Sequence, residues 1–524
     1  MVRLFTFCYL LVTSFTAQAE DFKPLREAEI DSLVEKALID FNVPGIGVAI
    51  LKDGKVIHAK GYGVKDIKTG DLVDENTLYQ IGSNTKSMTS AALAILMDEG
   101  KLSWDDLVID HIPEFRMVDP YVTREFTIKD MLTHRSGLPL GAGDLLFWPN
   151  EAGTIAKVIK AVGVIPPESS FRSQYAYDNL MYILAGEIVT RVSGMDWADF
   201  IETRLFEPMG MTECYARHRR VPNDANIATP HAFVDGSMQT VEFDNSYLVG
   251  AAGGVNCSAK AMTKWLSTQL NQGVMPNGGR LFSQERHAEM WTPVTIMGTN
   301  FGEGVGSRVA ISLYGLGWSI TETMGHQFIS HSGGLGGMLT TMMTVPEKGL
   351  GILVFTNQQN GFARGAITSE LLKGYLNHTA DRAYQYYVDA SNNRTTGALD
   401  AITALWDGRD KNSRPSLNLS AYAQTYSDGW YGDIEISLKG DELYFKSLES
   451  PRLRGKVKHF QYDTFVVEWD DRSLMADAYL MFKLSESGKI QTLDMKKFDP
   501  RTDFSFDFHH LNLKPKKEKS KDIS

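Results

Sequence analysis

Ser83 and Lys86 stand three positions apart in Ile81-Gly-Ser-Asn-Thr-Lys-Ser87, so on a helix they lie one turn apart on the same face. An alcohol and an amine can meet there. Serine attacks a carbonyl well only when an adjacent base takes its proton, and a lysine can be that base if burial or cationic neighbours free its amine. Backbone N–H groups at the start of a helix would face the negative charge that develops in such an attack. Two further groups follow along the chain. Tyr177-Asp178-Asn179 offers a phenol and an amide, and His331-Ser332-Gly333-Gly334 precedes a strand-like segment beginning near Met338, where glycines would let a substrate approach the strand edge. A serine and lysine at this spacing arise by chance in a chain this long. The ordered companions are what give the pair meaning.

These groups need elements to hold them. Met88, Ala91, Ala92, Ile95 and Leu96 recur at helical spacing, which predicts a helix from about Asn84 to Glu99 with Gly100 suited to its end. A helix is expected around Glu27–Asp40, and a hairpin from Gly45 to Gly61 turning at Asp53-Gly54. Residues 101 to about 300 mix helices and loops with little strand signal. Strands return near Gly337–Val345 and Leu350–Asn357, around Pro346-Glu347-Lys348-Gly349. A sheet built from early and late segments with helices between them is an α+β architecture. After 375 come helical pieces and a polar stretch, Ser391–Gly397, that suits a connector. From 418 to 512 short alternating runs such as Ile434–Leu438 and Leu443–Phe445 predict a small β-barrel or sandwich, and Lys514–Lys521 reads as a solvated basic tail.

Composition narrows the function. The chain has 524 residues, 43% hydrophobic and 22% charged, enough to bury a large core and unlike a disordered or many-span membrane protein. A formal charge of -11 gives no footprint for nucleic acid. Arg3, the apolar run Leu4–Thr16 and Ala17-Gln18-Ala19 read as a secretory signal over 1–19, with a mature chain from Glu20. That run is shorter than the ~20 residues that span a bilayer, so the expectation is an exported protein, periplasmic or secreted, with no integral membrane segment once the signal is cleaved. Cys214 and Cys257 are left to pair or stay free. No CxxC or HExxH supports zinc, and neither a dinucleotide nor a P-loop pattern is present, since Thr85 stands where a P-loop requires Gly before Lys86. No cofactor is expected. His134 in Thr-His-Arg-Ser-Gly invites a serine–histidine triad, but its stretch reads as a structural turn.

Taken together, the SxxK, YxN and HSG groups resemble the serine β-lactamase-like and penicillin-binding-protein superfamily, nearest its class C β-lactamase, D-aminopeptidase and esterase branch. Leu132–Leu138, Leu205–Met211 and Ala251-Ala-Gly-Gly254 resemble that family too. The resemblance implies an antiparallel sheet flanked by helices plus a mainly helical region over 20–375, then a helical linker over 376–417. The β-rich part, 418–512, is similar to a lipocalin-like barrel domain, and 513–524 is expected to be a disordered basic tail. It further implies Ser83 as the acylated nucleophile, Lys86 as its activator, Tyr177 as a proton shuttle and Asn179 as a partner of Lys86 and of a substrate amide. His331, Ser332 and Gly333 would lie along the substrate site, and the backbone N–H groups of Ser83 and Gly334 would form the oxyanion hole. Tyr175 is the rival phenol, but Tyr177 rather than Asn stands two positions after it. Family members commonly carry lysine where this chain has His331, and a histidine charge near neutrality would depend on pH. The implied reaction is hydrolysis of a small peptide or ester by a peptidase or esterase; a β-lactamase and a catalytically silent penicillin-binding sensor are the alternatives.

Overall fold

The computed structural model describes residues 22–149, 153–300, 310–323, 325–377 and 383–516. The signal-like segment and the end of the basic tail lie outside them. The hairpin forms as its turn residues dictate: Gly45–Lys52 pairs with Lys55–Gly63, and Asp53 and Gly54 take φ of 49° and 75°, the left-handed pair that matches strand twist. Gly45–Lys52 also pairs with Leu350–Thr356, Ile46 opposite Thr356 through Lys52 opposite Leu350. The first and last strands of this sheet in chain order therefore sit side by side. Among the described residues the antiparallel sheet has eight strands, running outward from Leu350–Thr356 through Met338–Val345 and His326–Leu335 to Ser319–Thr323, Ala310–Tyr314 and Thr295–Asn300.

Each face of that sheet buries an apolar layer. On one side Glu27–Asp40 and Phe362–Leu376 cover Ile46, Val48, Ile50, Ile352 and Val354, all at most 1% exposed. On the other lie Thr85–Asp98, Asn179–Ser193 and Ala259–Leu270, with Trp265, Trp318 and Phe355 buried against them. The helix Thr85–Asp98 is buried along nearly its whole length, so it is fixed as a piece of the core.

The polar stretch Ser391–Gly397 is helical rather than a turn or loop. It lies inside one helix, Tyr384–Gly408. Thr395 and Thr396 return their hydroxyls to the carbonyls of Ser391 and Asn392, and Trp406 packs its ring against Phe460 and Phe498 at 5.4 and 5.5 Å between centroids. Tertiary packing of the helix end thus overrides weak local propensity. The C-terminal strands form a nearly closed antiparallel barrel of eight, with Thr425–Ser427 joined to Lys514–Pro515 and Leu493 bridged to Leu513. The tail expected from 513 therefore begins too early: Leu513 is fully buried, and pairing to Ser427 holds Lys514 in the sheet.

Candidate active site

Ser83 is the middle residue of a 3₁₀ turn, Gly82–Asn84, that runs directly into Thr85–Asp98. This turn rests on the strand His326–Leu335. That strand pairs with Ser319–Thr323 only as far as Ser330, so its far half has an open edge on the side where the turn docks. Glycines permit the contact. A methyl on Gly82, whose φ is +54°, would lie 2.5 Å from the Gly334 nitrogen, and one on Gly333 would lie 1.8 Å from the Ile81 carbonyl oxygen. Gly334 is exposed to the cavity above. Gly333 is not: its space is filled by Ile81, so it serves the approach of two backbones rather than the approach of a substrate. Buried Asn84 locks the turn by donating to the Ile81 carbonyl at 3.1 Å and to Thr340 Oγ1 at 2.7 Å.

Lys86 is fully buried beneath Ser83. Its Nζ lies 3.2 Å from Ser83 Oγ, 2.7 Å from Asn179 Oδ1 and 2.8 Å from the Ala252 carbonyl oxygen. Both carbonyl oxygens can only accept, so they take two N–H bonds, and a neutral amine is left with its lone pair for the serine hydroxyl. Burial lowers the Lys86 pKa to about 7, against the opposing pull of Asp144 and Asp178. An amine with that pKa is partly neutral near pH 7, the form in which it could take a proton. The Ala252 contribution comes from Ala251-Ala-Gly-Gly254, where Gly250–Gly253 forms a short buried helix.

Two loops joined through one carboxylate set Tyr177. Asp130 is fully buried and accepts from Arg135 and from Arg172, each at 2.7 Å. Arg172 N–H bonds the Arg135 carbonyl and Ala176 N–H the His134 carbonyl, both at 2.9 Å. The chain then places the Tyr177 ring 4.7 Å from Lys86 Nζ. Burial pushes the phenol well above its usual pKa of 10, although a hydrogen bond with Ser83 pulls the other way. The structure holds a neutral phenol. Tyr175 also lines the cavity, but its ring packs on His134 and Tyr314, at 5.6 and 5.7 Å, and has no such contact with Lys86.

Asn179 opens the helix Asn179–Ser193, capped by Asp178, which accepts from Met181 N–H at 3.4 Å. His134 is no base for Ser83. Its Nδ1 accepts from the Asp178 N–H at 3.0 Å, and its ring lies 4.3 Å from that of Tyr177, so it braces the phenol. Burial keeps it neutral.

His331 is likewise buried, with Tyr314 and Ser332 as hydrogen-bond partners. Burial and then the nearby Lys86 lower its pKa to about 3. The expected change of charge near neutrality therefore does not belong to this residue. Ser83, Tyr177, Asn179, His331, Ser332 and Gly334 all face one cavity of about 1080 Å³. Reasoning from sequence missed Tyr314 and Asp144, which lie in stretches with no local chemical signal.

A beta-lactamase family model matches residues 30–374, and a domain of unknown function (DUF3471) matches 408–515. Among curated proteins, unguisins hydrolase ungD of Aspergillus violaceofuscus (strain CBS 115571) is 25% identical over 455 residues, covering 81% of this chain and 78% of its own. Protein flp of Staphylococcus aureus (strain MW2) is 25% identical over 338 residues, 63% of each chain. A solved octameric penicillin-binding protein homologue from Pyrococcus abyssi shares the fold, with a TM-score of 0.59 at 21% identity over 93% of this chain and 100% of that one. The beta-lactamase match spans well over half of the sequence and includes the serine, lysine, tyrosine and histidine brought together above, and the chain belongs to the beta-lactamase family of serine hydrolases.

Proposed function

We propose that this protein is an exported hydrolase that cleaves amide or ester bonds, in a D-amino-acid peptide, a peptidoglycan-type peptide or an ester, through an acyl-enzyme on Ser83. The observation that carries this reading is the buried Lys86 amine, 3.2 Å from Ser83 Oγ with two carbonyl oxygens positioned to take its N–H groups. In acylation Lys86 takes the Ser83 proton while Oγ bonds to the substrate carbonyl carbon. The oxyanion accepts from the backbone N–H groups of Ser83 and Gly334. Tyr177, held as a neutral phenol, gives its proton to the leaving nitrogen or oxygen as that bond breaks, and Lys86 reprotonates it. Water enters for the leaving group and the steps run in reverse. Asn179 fixes the amine and offers its amide to substrate.

Peptidase or esterase stands above β-lactamase, because a neutral His331 supplies no cation for the carboxylate of a β-lactam. The disulfide between Cys214 and Cys257 supports export to an oxidising compartment. Kinship of the C-terminal barrel to lipocalin-like domains rests on its nearly closed eight-stranded form. Intact-mass measurement after incubation with a fluorophosphonate tests the function. Wild type is expected to gain one adduct and Ser83→Ala none. Absence of an adduct, with no turnover across ester and D-peptide panels, would leave a catalytically silent binding protein.

A further inference from the structure

The catalytic cavity is not walled by the hydrolase domain alone. A turn of the C-terminal domain, Asp503–Asp507, reaches into it. Phe504 sets its ring edge-on to Tyr177 at 5.9 Å between centroids, and it stays 41% exposed, so an apolar face remains open to the cavity. Gly141 makes room for it: a methyl there would lie 2.8 Å from the Phe504 carbonyl oxygen. The next residues are tied down. Asp507, fully buried, accepts from the N–H groups of Gly143 and Leu145 at 2.8 and 3.2 Å. Ser505 Oγ donates to Asp144 Oδ2 at 2.8 Å, and the same oxygen accepts from Asn179 Nδ2 at 2.9 Å.

That last contact decides which way the Asn179 amide faces. With Nδ2 given to Asp144, only Oδ1 is left for Lys86, at 2.7 Å. A continuous chain of hydrogen bonds therefore runs from the barrel to the amine: Ser505, Asp144, Asn179, Lys86. Asp144 is fully buried with its other oxygen unpartnered, and burial beside Asp507 favours its neutral form, whose shape and polarity an asparagine can reproduce.

We propose that the barrel domain completes the active site, with Ser505 and Asp144 as positioning residues for the Asn179–Lys86 pair and Phe504 as the wall against which an apolar substrate group beside the reacting carbonyl must fit. The proposal rests on the serine-hydrolase reading and extends it to a domain for which the family match gives no function.

Steady-state kinetics on the full chain tests it, with short-chain and aromatic acyl esters as probes and thermal unfolding recorded for every variant. Ser505→Ala is expected to lower kcat about fivefold with KM little changed, as for loss of one hydrogen bond, and Ser505→Thr to restore most of it. Asp144→Ala is expected to fall further, and Asp144→Asn, still an acceptor for Asn179, to retain most activity. Phe504→Ala is expected to shift kcat/KM toward the bulkier ester about tenfold relative to the shorter one. The proposal is overturned if Ser505→Ala and Asp144→Ala keep wild-type kcat, if their losses track unfolded protein with no rescue by Thr or Asn, or if Phe504→Ala leaves the ester preference unmoved. A wild type that takes no fluorophosphonate on Ser83 would sink the hydrolase reading as well; a labelled wild type with unaffected variants sinks this proposal alone.

Discussion

The Tyr314 hydroxyl lies 2.9 Å from His331 Nε2, while Nδ1 of the same ring lies 2.7 Å from the Ser332 carbonyl oxygen. A carbonyl only accepts, so Nδ1 carries the proton and Nε2 takes the phenol's. Both ring nitrogens have partners, and it is burial that disfavours the imidazolium. The consequence is that activity between pH 5 and 8 should carry no step from this residue. His331→Gln is expected to leave the midpoint of the acid limb of kcat/KM where it is; a midpoint displaced by half a pH unit or more would contradict it. Stability follows the same logic. His331 has a pKa of about 3 in the native state against 6.5 ordinarily, so the unfolded chain binds the extra proton in that window. Its burial weighs against folding progressively as pH falls from 6.5 towards 3.

Lys86 should supply the acid limb instead. The amine must be neutral to take the serine proton, and burial places its pKa at about 7. Phosphonylation of Ser83 by a fluorophosphonate, with loss of fluoride, is expected to rise tenfold per pH unit below that value and to level off above it. The neutral phenol of Tyr177, pushed well above 10 by burial, should add no alkaline fall below pH 10. Lys86→Met should slow acylation about 10²–10⁴-fold, the range for loss of a positioned base. An unchanged rate, or a profile flat through neutrality, would remove lysine from the base role.

Gly333 gives a prediction of another kind. A methyl there meets the Ile81 carbonyl oxygen at 1.8 Å, and backbone cannot yield as a side chain tip can. Gly333→Ala should cost about 1–3 kcal/mol, the range for overpacking, and should push the Ser83 turn off the strand. Urea unfolding would read the first effect. The second appears as a fall in acylation rate larger than the unfolded fraction explains, because the oxyanion donors on Ser83 and Gly334 separate. Gly429→Ala, with open space around it and an ordinary φ, serves as the comparison.

What could be read from the sequence, and what could not, divides along a physical line. The helix bearing Ser83 and Lys86 announces itself by apolar spacing, and the hairpin by Asp53-Gly54, because both depend on interactions within a few residues. The meeting of Tyr177 with Lys86 was legible only as a family resemblance, since no local rule joins residues so far apart in the chain. The charge states went the other way. His331 was expected to change charge near neutrality, yet burial dominates it, as it does Tyr177. Burial belongs to the assembled core and leaves no mark on HSG or YxN. Ser391–Gly397 shows the same limit at the level of the helix: its composition favours a connector, and tertiary contacts, Ser391 with Asn360 and Trp406 with the barrel, hold it in the helix.

Asp130 brings these levels together and yields the last prediction. Its side chain is wholly buried, yet it meets two guanidinium groups and the N–H of Thr127 at 3.0 Å. Burial raises its pKa, but the bonds from Arg172 and Thr127 and the charge of Arg135 outweigh that, and the net displacement is below 3.8. The carboxylate therefore adds stability that is complete above its ordinary pKa of 3.8 and is lost as pH falls below it. Removing it leaves half-buried Arg135 and exposed Arg172 without their partner, and the lost charge-assisted bonds cost about 1.5–3 kcal/mol. The same arginines hold together the loops that carry His134 and Tyr177, so Asp130→Ala should damage catalysis beyond its effect on folding. Thermal unfolding from pH 3 to 7, with acylation rates measured on the fraction that remains folded, separates the two losses. A variant that unfolds earlier but acylates at the wild-type rate per folded molecule would show that Tyr177 keeps its place without this clamp.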